Sequence, residues 1–194
     1  MKRHIREFGL QDIDLIINYF LQADHTFLKM MGVEPNKFPK YDEWSQILLK
    51  NFNRPIEYKH FYYVIWEINN VPIGHSNINK IIYGTEAYMH LHIWESAYRQ
   101  SGHGTFFIRE SISCYFSKFN LRFLYCEPYE LNPAPNKTLS KVGFDYIHTY
   151  ETIPGWINFV QPVNRWMLSR EKWLEQAKSG THNSQEDSRK QTSC

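Results

Sequence analysis

The chain switches between two kinds of hydrophobic spacing, and the switches mark its elements. Arg3 to Phe8 reads as a short edge strand. Asp12 then precedes Ile13, Ile16, Ile17 and Phe20, whose spacing of three and four predicts a helix from about Asp12 to Ala23. Met31-Gly32-Val33-Glu34-Pro35 breaks the pattern, and Trp44, Ile47 and Leu48 resume it as the inner stripe of a helix over Tyr41–Asn51. The centre is β-branched and aromatic. Phe61–Ile68 is a strand, Asn69-Asn70 a tight-turn signal, and Val71–Ile82 extended again, which together predict a hairpin. After a turn at Gly84-Thr85, Tyr88–Trp94 is the next strand. Phe106–Phe119 returns to helical spacing, Leu121–Cys126 to strand, and Asn132–Val142 to a short helix closed by Gly143. Strands around Phe144–Tyr150 and Val163–Leu168 end the run. The order β-α-α-β-β-β-α-β-α-β-β predicts an α/β domain, a sheet of mixed strand direction flanked by helices. Ser179–Cys194 has no apolar residue but its terminal cysteine. It cannot offset the entropy of ordering, so a disordered polar tail is expected behind a domain of residues 1–178.

Composition narrows the function classes. Aromatic residues make up 16% of the 194, which suits a packed sheet with flat pocket walls. The net charge of +2 arises from 22 basic and 20 acidic residues with no basic block, so there is no nucleic-acid footprint. Cys114, Cys126 and Cys194 are odd in number and far apart, forming neither a disulfide framework nor a zinc knuckle. The opening MKRHIREFGL lacks the apolar run of a signal peptide, and no stretch approaches the ~20 apolar residues that span a bilayer. These features predict a soluble, cytoplasmic protein with no membrane or nucleic-acid partner.

The segment Arg99-Gln100-Ser101-Gly102-His103-Gly104-Thr105 lies between a strand and a helix. Gly102 and Gly104 let the backbone approach a phosphate, and the N–H groups of the helix's first turn point at one anion. Arg99 and His103 add charge or a donor. A strand-to-helix turn without a ligand would use the same glycines. The wider context resembles the GCN5-related N-acetyltransferases: Arg99-x-x-Gly102-x-Gly104 is similar to that family's pyrophosphate loop. Asn132 stands eleven residues before Gly143-Phe144 in NPAPNKTLSKVGF, similar to its second signature. The similarity extends to the branch containing ribosomal-protein N-terminal acetyltransferases.

The resemblance implies an acyl-CoA acyltransferase fold, mostly antiparallel with a central, splayed parallel strand pair, and acetyl-CoA as cosubstrate without a metal. The pantetheine arm is expected to bond along Ile93, Trp94 and Glu95, the pyrophosphate to sit on Gln100–Thr105, and the thioester to face Glu127–Asn132. Asn132 and Asn136 are expected on the arm's amides, although Asn132 also fits a plain helix N-cap. The acceptor would be a protein N-terminus or a small-molecule amine. The connection holding Trp156, Asn158 and Phe159 would border its pocket, with core packing or a dimer contact as the other reading. Homodimers formed through sheet ends are also in keeping with the family.

Catalytic groups are less sharply marked. A lysine-like amine at pH 7 needs about 4–5 kcal/mol to lose its proton, so a base is useful. His90 and His92 fall on one face of their strand, as base candidates, as packed core histidines, or as two ligands of a zinc site lacking a third. Glu127 and Glu95 are carboxylate alternatives. The family's acid is often a helix tyrosine, and that position here is Leu139. Ser140 and Tyr129 are the substitutes at hand. The missing tyrosine also leaves open a coenzyme-binding sensor without transferase activity.

Overall fold

The computed structural model describes residues 1–99 and 101–178. Its elements are β1 (Arg3–Glu7), α1 (Ile13–Leu21), α2 (His25–Met30), α3 (Tyr41–Phe52), β2 (Phe61–Ile68), β3 (Val71–Ile82) and β4 (Glu86–Ile93), followed by α4 (His103–Phe119), β5 (Phe123–Cys126), α5 (Pro133–Lys141), β6 (Asp145–Thr152) and β7 (Gln161–Ser169). Residues 170–178 are also helical. The strands form one sheet in the order β1-β2-β3-β4-β5-β7-β6, and among the described residues only the β4–β5 pair is parallel.

Three features depart from the expectation. Helix α2 was not foreseen, being too short to show an apolar period; it is capped by the Asp24 side chain, which accepts from the N–H groups of Thr26 and Phe27, at 2.9 and 3.2 Å. The chain also runs from β7 directly into helix at residues 170–178, where Trp173 stacks on Phe116 with centroids 5.0 Å apart. Finally, α4 begins at His103 rather than Phe106, which puts Gly104 and Thr105 in its first turn. The expected tail lies outside the described residues.

Both faces of the sheet bury apolar side chains. On one, α4 and α5 cover Val64, Trp66, Ala87, Met89, Leu124 and Cys126, with Trp66 stacked on Phe107 at 5.3 Å. On the other, α1–α3 cover Ile65 with Ile16, Ile17, Phe20, Leu28, Trp44 and Leu48. Farther along this second face, Tyr88, Tyr125, Tyr150 and Arg165 pack on one another. Asn69 and Asn70, at φ 52° and 66°, make the β2–β3 turn as both residues of a left-handed pair, the twist that suits a two-residue hairpin.

The parallel strands separate midway. Pairing of β4 with β5 runs from Glu86–Phe123 to Met89–Cys126 and stops. Beyond it, His90–Ile93 stay paired with β3. The other chain follows β7 instead: Asn164 N–H donates to Pro128 O at 3.1 Å, Glu130 N–H to Pro162 O at 3.0 Å, and Tyr129 bridges Val163. A notch therefore opens between His90–Ile93 and Glu127–Tyr129, walled by backbone on both sides.

Candidate active site

The N-terminus of α4 lies near the inner wall of the notch. Gly102 precedes the helix at φ 79°, a left-handed conformation that glycine adopts without strain. Gly104 has no such need. A β-carbon built there meets nothing nearer than Ile93 Cδ1, at 3.8 Å, so the fold itself would accept alanine. What the glycine leaves clear is space above the first turn, beside the end of β4. The imidazole Nδ1 of the preceding His103 is buried with no hydrogen-bond partner among the described residues, and its ring lies 6.2 Å from that of Tyr98. Ser101 Oγ donates to Tyr98 O at 2.6 Å and steadies the loop. Gln100 lies outside the described residues.

Arg99 points the other way. Its Nε and Nη2 donate to Ile93 O at 3.2 and 3.0 Å, Nη2 also donates to Trp94 O at 3.1 Å, and the guanidinium sits 4.3 Å above the Phe27 ring. It thus occupies the carbonyls expected to meet the pantetheine arm. Trp94 is fixed from both ends: its N–H donates to Ile73 O and its indole to His75 Nδ1, at 2.9 and 2.8 Å. Glu95 is exposed at the start of the following turn.

Register brings in a third histidine that sequence reading passed over. His75 on β3 lies opposite His92, with ring centroids 4.7 Å apart and nearly parallel. His92 is further enclosed by Phe20 at 5.3 Å and Tyr19 at 5.4 Å, with the Tyr19 hydroxyl 3.4 Å from Nδ1. Burial, then the neighbouring His90, pushes His92 down to about 3. Burial, with His92 and His90, holds His75 well below the ordinary histidine value. His90 sits one residue past the last parallel pair; burial, then Lys80, pushes it to about 4, against the opposing pull of Glu127. Its Nε2 is buried without a hydrogen-bond partner among the described residues. All three rings are neutral at pH 7. No group of three metal-ligating side chains is assembled among the described residues.

The outer wall is held by two polar clusters. Glu127, next after β5, is buried, and its Oε1 receives Arg165 Nε at 2.7 Å, Arg165 Nη2 at 2.6 Å and the Tyr150 hydroxyl. Burial, then the hydrogen bond to Glu127, raises Tyr150 to about 12. Asn136 is bonded through every atom of its amide that can bond. Nδ2 donates to Asn132 O at 2.7 Å and Tyr129 O at 3.2 Å, while Oδ1 accepts from Trp166 Nε1 at 2.8 Å and Asn164 Nδ2 at 3.0 Å. Asn132 occupies the N-cap of α5, but its side chain makes no capping bond.

Of the other candidates, Ser140 is exposed on α5 and Leu139 is fully buried in the core. Tyr129 packs edge-on against Phe159, with centroids 6.0 Å apart. Trp156 is half exposed and meets Trp44 edge-on at 5.6 Å. Asn158 is structural in its contacts: Nδ2 donates to Gly32 O at 2.8 Å, and its backbone bridges Val33.

A scan against family models and a search of curated proteins both find no match. Solved structures do match. Spermidine N-acetyltransferase from Vibrio cholerae, in complex with CoA and spermine, superposes with a TM-score of 0.72 over 89% of this chain and 98% of its own, at 18% identity. The chain has the GCN5-related N-acetyltransferase fold. Aminoglycoside acetyltransferase AAC(6')-Ib, in complex with coenzyme A, shares this acetyltransferase fold at a TM-score of 0.68, 13% identity, and 90% and 98% coverage. An uncharacterized protein from Bacillus halodurans matches at 0.68 and 15% identity, over 93% of this chain and 91% of its own. The seven strands, the parallel pair and the flanking helices agree with the mixed α/β acetyltransferase fold expected from the sequence.

Proposed function

We propose that the chain is an acetyl-CoA-dependent N-acetyltransferase acting on an amine by direct attack in a ternary complex. The observation that carries this reading is the cleared first turn of α4, with Gly104 unconstrained by packing and opening beside a notch between two parallel strands. Backbone N–H groups and the helix dipole there suit a pyrophosphate. The coenzyme arm would lie in the notch after displacing Arg99 from the Ile93 and Trp94 carbonyls, with Asn132 on the outer side. Coenzyme A in the complexes of fold neighbours supports the same choice of cosubstrate.

Helices α4 and α5 cover one face of the notch, so the acceptor would approach from the face bearing His90 and Glu127. Its neutral nitrogen attacks the thioester carbonyl, the C–N bond forms, and the C–S bond breaks to release the thiolate. His90 Nε2, neutral and unengaged by other described residues, would take the amine proton through water. Glu127 is less available for this role, because Arg165 and Tyr150 already claim its oxygen. Tyr129 would protonate the departing thiolate, and with Phe159 would wall the acceptor site.

Thiol release from acetyl-CoA with a panel of primary amines tests this. His90→Ala is expected to lower kcat/KM by about 10²–10³ while leaving acetyl-CoA affinity unchanged. Coenzyme binding with no amine-dependent thiol release from the wild type would favour a sensor instead.

A further inference from the structure

Beside the notch, on the face from which the acceptor would approach, three tyrosines surround a cation that belongs to the protein. The Arg165 guanidinium carbon lies 4.9 Å from the Tyr150 ring centroid, 5.6 Å from Tyr125 and 5.8 Å from Tyr88. Tyr88 and Tyr125 are stacked on each other at 5.2 Å. The same guanidinium meets the buried Glu127 carboxylate through Nε and Nη2, at 2.7 and 2.6 Å, and its Nη2 lies 2.6 Å from the Tyr150 hydroxyl. Aromatic faces with a buried carboxylate are the composition that recognises an ammonium ion. Glu127 directly follows the last residue of β5 paired with β4, so this cage adjoins the place where an amine would react.

We infer that Arg165 is a specificity determinant: it fills a built ammonium site with a tethered cation, so that the enzyme excludes di- and polyamines and takes amines whose reacting nitrogen is their only charge. The inference rests on the acetyltransferase reading above. An acceptor with a second ammonium three or four methylenes from the reacting one would bring that charge to the cage. There it would meet a guanidinium instead of a free carboxylate. Lys80, whose Nζ lies 4.8 Å from the Tyr88 ring centroid, adds a second positive charge to the same shelf. Glu86, at the start of β4, is the carboxylate on this face farther from the notch, four residues before His90. The specificity therefore differs from that of the fold neighbour crystallised with spermine.

The test is calorimetric, on full-length protein saturated with CoA. Spermidine is titrated into wild type, Arg165→Gln and the Glu127→Gln/Arg165→Gln double variant, with butylamine as the single-charge reference. Removing the guanidinium leaves the carboxylate without its cation, held among the described residues only by the Tyr150 hydroxyl, inside an emptied tyrosine cage. Arg165→Gln should then bind spermidine about 10- to 100-fold more tightly than wild type, and the double variant should lose the gain. Wild type should bind spermidine no more tightly than butylamine. A merely structural ion pair would give no gain of affinity on its removal. Equal spermidine affinity in wild type and Arg165→Gln, undetectable binding by both included, overturns the inference, as does wild type preferring spermidine to butylamine tenfold. Should Arg165→Gln not fold, as judged by circular dichroism, the wild-type comparison decides alone. Failure of the wild type to bind CoA at all would instead sink the acetyltransferase reading, and this inference with it.

Discussion

Acidification from pH 7 toward pH 4 is expected to unfold the protein with uptake of about three protons. His75, His90 and His92 are held neutral in the fold, chiefly by burial, with His90 at about 4, His92 at about 3, and His75 well below its ordinary value. A folded value below the unfolded ~6.5 means that the unfolded chain binds more protons between the two. Stability from this source is fully present above pH 6.5 and falls as the pH drops through that window. Each histidine contributes a slope of up to ~1.4 kcal/mol per pH unit, so three together approach ~4 kcal/mol per unit. Two to three units then remove about 8–12 kcal/mol, comparable with a typical total of about 5–15 kcal/mol. Urea denaturation at pH 7.5, 6.0 and 5.0 measures the slope, and His92→Phe should remove about a third of it. A midpoint unchanged between pH 7.5 and 5.0 would contradict the three neutral histidines.

Asn136→Ala is expected to lower unfolding free energy by about 2–4 kcal/mol. The amide joins four groups: the Tyr129 and Asn132 carbonyls of the outer wall, and the Asn164 amide and Trp166 indole of β7. Alanine would leave partly buried donors and acceptors unpaired, at about 1–3 kcal/mol for each group that water cannot reach. Asn136→Asp would keep the two accepting contacts and lose the two donating ones, setting a carboxylate against two carbonyls. It should therefore also be destabilising. Chemical denaturation of both variants measures this; a loss below about 1 kcal/mol for Asn136→Ala would show that water replaces the network. The same geometry gives this residue a structural role beside the one expected of it at the coenzyme. An amide bonded on all sides holds the notch's outer wall on β7, whereas the Asn132 side chain makes no cap bond and, in the proposed complex, would be the one to meet the coenzyme arm.

The strands were largely legible because alternation, turn residues and aromatic runs are local. Asn69-Asn70 specified its hairpin, and Gly102 marked the entry to α4 through a backbone conformation that other residues adopt only with strain. Helix α2 escaped notice because six residues hold less than two turns of apolar period, although Asp24 with Thr26 and Phe27 was a readable cap. The site was legible only where its residues are consecutive. His90 and His92 could be placed on one face by counting, but His75 joins them through register across a hairpin. Arg165 and Tyr150 reach Glu127 from β7 and β6, across sequence separations of 38 and 23 residues, and nothing local marks them. Arg99 is a different case. Its place in a phosphate-loop pattern suggested an anion, whereas in the fold two carbonyls and the Phe27 face take its charge. Asn158, expected at the acceptor, is engaged in tying the 153–160 segment to Gly32.

Whether the first turn of α4 and the adjoining notch bind acetyl-CoA is decided by calorimetric titration of acetyl-CoA into wild type and Gly104→Glu. The glycine's β-carbon position is clear of everything but Ile93, so the variant should fold with little change in melting temperature. Saturable, one-to-one binding is expected of the wild type, with a loss of at least about 100-fold in the variant, whose carboxylate would oppose the pyrophosphate at the helix N-terminus. No binding by folded wild type, or equal binding by both proteins, would contradict it.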